Sequence, residues 1–556
     1  MIYRQDKRQN GILDKRFLPL RVVHLSAKDM GGGAPNATYR LHSELNRLGY
    51  DSTLFVLEKL RNDCSSETLG DRETQQFNPT RVDRENAANF PVQTNTIHNT
   101  LFSSDRSPYT TELLQQLPEA EIINLHWIAG FVDYQTFFSK IPTLTPIIWR
   151  LSDENPLTGG CHVDNFCDRF TQSCGMCPQL NSTQENDLSR QIWESKKKAI
   201  KNVARDRLHF VAPSRWMTQK LKQSSLFRDY PVTTIPTGID TDNFAPRDRN
   251  FAREVLGLPK NAKVVLFVAD YLANPIKNFN LLREALSNLS RLPNLYLLSL
   301  GRGNPSLPVS IPHRHLGFIE NERLLSLVYS AADLFVISSK QDNFPNVVLE
   351  SLACGTPVVG TNVGGIPDLV RPNLTGSLVS PENSQELSGA IASLLKDSDK
   401  LAEFSSHCRR IALAEYTLEQ QARRYIELYH QMGTDIITLG DNWYDLETFA
   451  GETFRWINND AEIRIYNPTG DRKTLRLLLE PGPSLCELPL TLHLQDYRGK
   501  TILTLSTHNR ETLYIQLPII SRRSTTFKLH CQQESKPLSS DSRILNFRVF
   551  DLGWSN

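Results

Sequence analysis

Hydrophobic and polar positions follow two different rhythms along the chain. From about residue 18 to 430, short β-branched runs alternate with longer stretches whose apolar residues stand three and four apart. The runs LRVVHLS (20–26), TPIIWRLS (145–152) and TPVVGTN (356–362) are examples of predicted buried strands. Strands that alternate with helices in this way predict parallel sheets covered by helices on both faces.

The alternation restarts after a proline-rich connector, PVTTIPTGIDTDNFAPRD (231–248). It therefore predicts an α/β architecture of two doubly wound, Rossmann-like lobes, whose strands end at a shared cleft. After about residue 440, apolar and polar residues alternate one by one between turn signals, which predicts an antiparallel β-sandwich. We predict three domains: 18–235, which includes a cysteine-rich loop at 158–180, then 236–433 and 440–556.

Composition narrows the function class only a little. The 556 residues carry 62 Lys and Arg against 61 Asp and Glu, so the overall charge does not indicate a nucleic-acid partner. The N-terminus has no apolar stretch typical of a secretory signal, and no run of about 18 apolar residues predicts a membrane-spanning helix. We expect a cytoplasmic protein in which most of the nine cysteines are reduced.

The segment QDNFPNVVLESLACGTPVVG (341–360) concentrates candidate chemistry. Pro345 suits the first turn of a helix, and the free N–H groups around Asn343–Asn346 would meet an anionic or hydroxyl-rich ligand there. Asp342 precedes this helix and Glu350 lies within it. Two such carboxylates could be the acid and base of a hydrolase, the ligands of a metal or the acceptors of hydrogen bonds from sugar hydroxyls. The non-functional alternative is equally open: an exposed Asp in a loop and an ordinary Glu in a helix.

The longer stretch SSKQDNFPNVVLESLACGTPVVGTNVGGIPDLV resembles the nucleotide-sugar motif of the family 4 glycosyltransferases, which have the two-lobed GT-B fold. In much of that family the motif is a glutamate, seven residues and a second glutamate. Here the first acid is Asp342, and the DN.PN pattern is similar to a colanic-acid-type branch of polysaccharide biosynthesis. The resemblance covers roughly residues 20 to 430.

The resemblance implies roles for the residues at matching positions. Glu350 would hold the donor ribose, and Asp342 would hold the transferred sugar together with backbone N–H groups of Asn343 and Phe344. Lys277, in NPIKNFN, would reach the donor diphosphate, although a solvated surface lysine is the ordinary alternative. Many relatives also carry an arginine where this chain has Ala269 and Asp270. Pro345 completes the expected donor-binding set.

Two further features belong to the first lobe. His126 directly follows the apolar run IINL, at the expected cleft edge, where the family's histidine contacts the donor sugar. A histidine hydrogen-bonded within the core is the alternative. Gly32 and Gly33, in the loop DMGGGAPNA, would let the backbone approach a phosphate or an acceptor at a helix N-terminus, or would form a plain flexible turn.

The loop TGGCHVDNFCDRFTQSCGMCPQL gathers four thiols, and the related branch has a similar cysteine-rich loop. In a reducing compartment the thiols permit a structural tetrahedral zinc site, with free thiols as the alternative. The related branch often has a histidine–aspartate pair before the loop, whereas this chain has Ser152 and Asp153, so that histidine's acid–base role is lost. The four cysteines are Cys161, Cys167, Cys174 and Cys177.

The resemblance implies a retaining hexosyltransferase that needs no catalytic metal and no cofactor beyond its nucleotide-sugar co-substrate. Its acceptor would be a glycan or a lipid-linked glycan in polysaccharide biosynthesis, met at the inner face of the membrane by peripheral association. Two alternatives come from other classes: a non-catalytic sugar-binding protein with a lectin-like C-terminal domain, and a dehydrogenase, for which the glycine loop lacks the G-x-G-x-x-G fingerprint.

Overall fold

The computed structural model describes residues 21–61, 66–68, 100–142, 145–201, 203–205, 207–304, 311–432, 436–449, 452–467, 473–485, 488–517, 523–533, 535–539 and 541–555. The N-terminal segment predicted to lack a secretory signal lies outside these residues. Within them, no helix has the length and apolar character needed to cross a bilayer.

A seven-stranded parallel sheet forms the first lobe, in the order β3-β2-β1-β4-β5-β6-β7. Its central strands are buried on both faces, which is why they appear in the sequence as continuous apolar runs. The strands are β1 (Arg21–Lys28), β2 (Asp51–Glu58), β3 (Ser66–Thr68), β4 (Ile122–Leu125), β5 (Ile147–Arg150), β6 (Leu208–Ala212) and β7 (Val232–Thr234). The helices are α1 (Gly33–Arg47), α2 (Thr110–Gln116), α3 (Tyr134–Lys140), α4 (Leu188–Ile200) and α5 (Arg215–Gln223).

A six-stranded parallel sheet forms the second lobe, in the order β10-β9-β8-β11-β12-β13, with one apolar cluster on each face. The strands are β8 (Lys263–Tyr271), β9 (Leu295–Arg302), β10 (His313–His315), β11 (Leu334–Ile337), β12 (Val358–Thr361) and β13 (Gly376–Val379). The helices are α6 (Arg249–Val255), α7 (Phe279–Asn288), α8 (Glu322–Ala331), α9 (Asn346–Ala353), α10 (Ile366–Leu369), α11 (Ser384–Lys396), α12 (Ser398–Glu415) and α13 (Leu418–Met432).

The last helix, α13, returns to the first lobe. Its apolar face contributes Tyr425, Leu428 and Tyr429 to a cluster with residues of β1 and α1. The Tyr429 hydroxyl accepts a hydrogen bond of 2.8 Å from the Asn124 amide at β4. Helix α13 therefore fastens the two lobes together behind the cleft.

Two five-stranded antiparallel sheets follow, in the orders β14-β17-β22-β19-β20 and β15-β16-β23-β18-β21. Their apolar positions form a cluster of their own, so the predicted fold class of two lobes and an antiparallel C-terminal region is confirmed. The strands are β14 (Ile436–Leu439), β15 (Trp443–Phe449), β16 (Glu452–Ile457), β17 (Ala461–Asn467), β18 (Lys473–Pro481), β19 (Leu490–Asp496), β20 (Thr501–Thr507), β21 (Glu511–Leu517), β22 (Arg523–Cys531) and β23 (Phe547–Trp554).

Candidate active site between the two lobes

A cavity of about 290 Å³ opens between the carboxyl ends of the strands of both lobes. From the first lobe it receives residues that follow β1, β5 and β6, and from the second lobe residues at the ends of β8 and β11. This is the position at which doubly wound sheets bind ligands. The predicted site residues that line it are Gly33, Lys277, Asp342, Asn343, Phe344 and Pro345.

Lys277 and Asp342 form an ion pair on the second-lobe wall of this cavity. The Lys277 Nζ donates a hydrogen bond of 2.6 Å to Asp342 Oδ2, although 65 residues separate the two in sequence. The Lys277 side chain is 30% exposed and that of Asp342 is 13% exposed, so solvent and ligands reach both. An ammonium group has three N–H donors, and two therefore remain for a ligand after this bond.

The loop that carries Asp342 packs against the backbone of Gly364 and Gly365. The Gly365 N–H donates a hydrogen bond of 2.8 Å to the Asp342 carbonyl. A Cβ atom on Gly364 would lie 2.0 Å from the same carbonyl oxygen, and one on Gly365 would lie 1.9 Å from the Asn343 carbonyl oxygen. Only glycine permits so close an approach, which explains the pair of glycines in the sequence.

Asn343 connects the two lobes across the cavity. Its amide nitrogen donates hydrogen bonds of 3.0 Å and 3.2 Å to the Leu151 and Ser152 carbonyls, and the Ser214 hydroxyl donates to its amide oxygen at 3.1 Å. Among the described residues, the backbone N–H groups of Asn343 and Phe344 have no acceptor. They lie just before α9, so they are available to an anion or a hydroxyl at the positive end of that helix.

Glu350 does not line this cavity. Its carboxylate accepts a hydrogen bond of 2.9 Å from the Tyr329 hydroxyl in the neighbouring α8. Burial raises the pKa of the Glu350 carboxyl above its ordinary value, and the Arg40 guanidinium of the first lobe opposes that rise. Arg40 is itself paired with Glu322 at 2.5 Å. The predicted ribose contact of Glu350 thus stays a prediction.

His126 also lies outside the cavity and is almost fully buried. Its Nε2 lies 2.9 Å from Nδ1 of His24 in β1, and burial lowers the pKa of both rings, so each is a neutral imidazole at neutral pH. Ser152 lines both this cavity and a much smaller one that His126 borders. Gly32 precedes α1 and does not line the inter-lobe cavity either.

Arg150 is a site residue that the sequence did not single out. It ends β5, is buried, and lines the same cavity as Lys277 from the first lobe. Its guanidinium donates hydrogen bonds of 3.0 Å to Ser152 and 2.7 Å to Thr237. Burial lowers its pKa from the ordinary value, but an arginine remains protonated at neutral pH. The cavity therefore contains a second cation, supplied by the first lobe.

Asp153 has a histidine partner from elsewhere in the chain. His162 Nδ1 lies 2.5 Å from Asp153 Oδ2, and the Trp127 indole N–H donates to the same oxygen at 2.7 Å. The other ring nitrogen, His162 Nε2, lies 3.0 Å from the Ser103 hydroxyl. These bonds fix the loop that begins at Ser152. The sequence neighbour of Asp153 is Ser152, but tertiary packing gives Asp153 a different histidine partner.

The four clustered cysteines surround one void of about 20 Å³. All four are free, and the Cys161 and Cys177 thiols hydrogen-bond each other, which lowers the pKa of Cys177 to about 7. The Gly159 N–H donates to the Cys174 sulfur at 3.2 Å. No group of three or more His, Cys, Asp or Glu side chains in the described ranges is arranged to hold a metal ion. The structural zinc site thus stays a prediction.

Comparison with known proteins agrees with this geometry. The sequence profile of the family "Glycosyl transferases group 1" matches residues 248–410. A D-inositol 3-phosphate glycosyltransferase of Catenulispora acidiphila is 34% identical over 32% of this chain and 45% of the relative. The putative colanic acid biosynthesis glycosyl transferase WcaC of Escherichia coli K12 is 25% identical over 56% of this chain and 75% of the relative. The chain spans about half the length of the inositol-phosphate relatives it matches.

Solved structures show the same fold. The sucrose-phosphate synthase of Thermosynechococcus elongatus aligns with a TM-score of 0.54 at 19% identity, over 74% of this chain and 99% of that structure. Anabaena Alr3699/HepE in complex with UDP and glucose aligns with a TM-score of 0.51 at 16% identity, over 74% of this chain and 100% of that structure. Residues 248–410 thus match the glycosyl transferases group 1 family within a chain whose two lobes have the GT-B fold, and a pair of antiparallel sheets follows them.

Proposed function

We propose that the protein transfers a sugar, with retention of its anomeric configuration, from a nucleotide-sugar donor to a glycan or lipid-linked acceptor in polysaccharide biosynthesis. The observation that carries this proposal is the joint placement of Lys277, Asp342 and the unpaired N–H groups of Asn343 and Phe344 on one wall of the inter-lobe cavity. A cation and free N–H donors fit a diphosphate, and a carboxylate fits sugar hydroxyls.

The chemistry follows from where charge develops. As the glycosidic bond breaks, negative charge grows on the departing diphosphate, and a fixed ammonium beside it stabilises the transition state more than the ground state. Lys277 supplies this ammonium, while Asp342 holds it in place at 2.6 Å and accepts hydrogen bonds from the sugar. Arg150 faces the same cavity and adds positive charge from the first lobe. No bound metal is required by this arrangement.

The acceptor enters from the first lobe in this proposal. Gly33 and Ser152 border the cavity there, and the relative WcaC is named for colanic acid biosynthesis, which supports an extended glycan acceptor. Such an acceptor, when lipid-linked, would be met by peripheral association at the cytoplasmic face of the membrane. His126 borders a small cavity that shares Ser152 with the inter-lobe cavity, and it would act close to the reacting sugar from there. Glu350 would hold the donor ribose.

The test begins with a panel of nucleotide sugars, each assayed for a rise in melting temperature, because a ligand that binds only the folded state stabilises it. The best donor then enters a turnover assay that measures nucleotide release with and without acceptor glycans. Lys277→Ala should lower kcat by about 10²–10³-fold, the usual effect of removing one transition-state donor, with a smaller change in KM.

Lys340→Ala is the matched control, since Lys340 forms an exposed ion pair with Glu382 and does not line the cavity. A retained anomeric configuration would be read from the product by NMR spectroscopy. Donor binding without any turnover in the wild-type protein would instead support the non-catalytic sugar-binding alternative. A loss of donor affinity in Lys277→Ala with kcat unchanged would reduce Lys277 to a ground-state anchor.

A further inference from the structure

A cavity of about 410 Å³ lies between the first lobe and the C-terminal sheets, apart from the donor cleft. The first lobe contributes Arg21 at the start of β1, the loop between α2 and β4, and the end of α3. The sheets contribute the turn between β14 and β15 with Trp443, and Arg455 and Arg464 from β16 and β17. Its volume is within the range of about 300–1,000 Å³ that small-molecule sites occupy, and such sites favour domain interfaces.

This cavity is at the opposite end of the first sheet from the donor cleft. Arg21 begins β1, whereas Gly33, which lines the donor cleft, follows the carboxyl end of the same strand. The eight residues of β1 alone span about 26 Å at ~3.3 Å per residue. A nucleotide sugar in the donor cleft therefore cannot extend into this cavity, which is a separate site.

The charges of the cavity wall are unbalanced. Four cationic side chains line it, Arg21, Lys140, Arg455 and Arg464, against one carboxylate, Glu119. Glu119 accepts from Arg21 at 2.7 Å and from Arg464 at 2.8 Å, so a single carboxylate is shared between the two domains. Arg464 also contacts Glu462 at 3.0 Å, and Lys528 lies 3.9 Å from the same Glu462. The buried Glu121 carboxylate also accepts from the Arg21 backbone N–H at 2.9 Å, so five cations (Arg21, Lys140, Arg455, Arg464 and Lys528) stand against three carboxylates (Glu119, Glu121 and Glu462) around the opening.

The remaining wall is apolar and aromatic. Leu114, Leu117, Ile123 and Ile141 form the first-lobe side, and Trp443 forms part of the other. The Trp443 indole N–H is already bonded to the Glu462 carbonyl at 2.8 Å, so the ring is fixed in its orientation. An apolar surface with a rigid aromatic ring suits the C–H faces of a sugar, and guanidinium groups suit a carboxylate through paired hydrogen bonds.

We propose that this inter-domain cavity binds an anionic saccharide, with its sugar ring beside Trp443 and its carboxylate among the cations from both domains. Glu119 joins the two walls through Arg21 and Arg464, so both sides of the site are already in contact before a ligand binds. Binding of the saccharide to this cavity does not depend on a ligand in the donor cleft. It would anchor an acidic glycan at a distance from the donor.

The experiment is isothermal titration of the full chain with three anionic hexasaccharides, built respectively from galacturonate, mannuronate, and alternating glucuronate and N-acetylglucosamine. Neutral maltohexaose is the control for a saccharide without charge, and inorganic phosphate is the control for an anion without a saccharide. At least one anionic hexasaccharide should bind saturably and lose affinity as salt rises, because charge-assisted contacts are screened. Lys140→Gln and Arg455→Gln should each weaken it about tenfold.

Arg476→Gln is the control variant, since Arg476 is an exposed arginine of the same sheets, paired with Asp551 and outside the cavity. Lys140 is exposed at the end of α3, so its variant should fold even if that of Arg455 does not. UDP binding, measured on the same samples, reports on the donor cleft separately. The proposal is overturned if no anionic hexasaccharide binds, if maltohexaose or phosphate binds as tightly, or if both cavity variants bind like Arg476→Gln.

Discussion

Gly365→Ala tests how the acidic loop is held in place. Gly365 has φ of −91°, a conformation open to any residue, so alanine adds no backbone strain there. Its Cβ would lie 1.9 Å from the Asn343 carbonyl oxygen and 2.8 Å from the Ser214 Cβ. A comfortable C···O contact is about 3.3 Å, so these atoms must separate by roughly 1.4 Å.

The displaced residue is the one that bridges the lobes, since Asn343 contacts Leu151, Ser152 and Ser214. Overpacking of this kind costs about 1–3 kcal/mol in the free energy of unfolding. That corresponds to an apparent Tm about 2–12 °C lower for a lobe of this size. A shift of about 1 Å at a reacting centre lowers turnover on the order of 10²-fold. We expect both losses in Gly365→Ala.

The matched control is Gly389→Ala in α11, where an added Cβ meets nothing within 4 Å. Alanine should stabilise that helix by about 0.5–1 kcal/mol relative to glycine. Scanning calorimetry gives the stability change, and titration with the best nucleotide sugar gives the donor affinity. A Gly365→Ala protein that turns over its donor like wild type would refute the proposed placement of the 342–343 loop in the donor site.

Further predictions concern Glu350 and the C-terminal sheets. Glu350→Ala should weaken donor binding while the fold stays intact, as judged by calorimetry, and normal affinity in a folded variant would contradict the ribose contact. Burial raises the pKa of Glu350, so its carboxylate is protonated at a higher pH than that of an ordinary glutamate. Donor affinity should therefore fall as the pH drops through that raised pKa. The Glu350→Gln variant should lack this pH-dependent fall in donor affinity. A chain that ends near residue 435 keeps α13 and should fold and bind its donor, because the C-terminal sheets have an apolar core of their own. Aggregation of this shortened chain, or loss of donor binding, would show that the C-terminal sheets are part of the catalytic architecture.

Much of the fold could be predicted because buried parallel strands have a distinctive sequence pattern. The runs before Ser152 and Asp270 are continuous in apolar residues, and the rule that ligands bind at the carboxyl ends of such strands places their flanking residues in one cleft. The meeting of Lys277 and Asp342 follows from this rule, since each belongs to a loop beyond a strand of the second sheet. Local sequence pattern and sheet topology were therefore sufficient to predict that these residues lie in one cleft.

Other features depend on side-chain packing between distant segments. Arg150 is the polar end of an apolar strand, and only the register of β5 shows that it lines the cavity. His162 reaches Asp153 through a loop of short turns rather than through a regular spacing. Glu119 and Arg464 are 345 residues apart in the chain, so no local pattern could indicate the cavity they border. The resemblance places Glu350 at the donor ribose, whereas its bond to Tyr329 depends on how α8 and α9 pack.

A crystal structure of the chain with the nucleotide sugar that stabilises it most tests the central claim directly. We predict that the diphosphate lies within hydrogen-bond distance of the Lys277 ammonium and of the backbone N–H groups of Asn343 and Phe344, with the transferred sugar at the Asp342 carboxylate. A donor bound outside this inter-lobe cavity, or one whose diphosphate leaves Lys277 in contact with Asp342 alone, would contradict it.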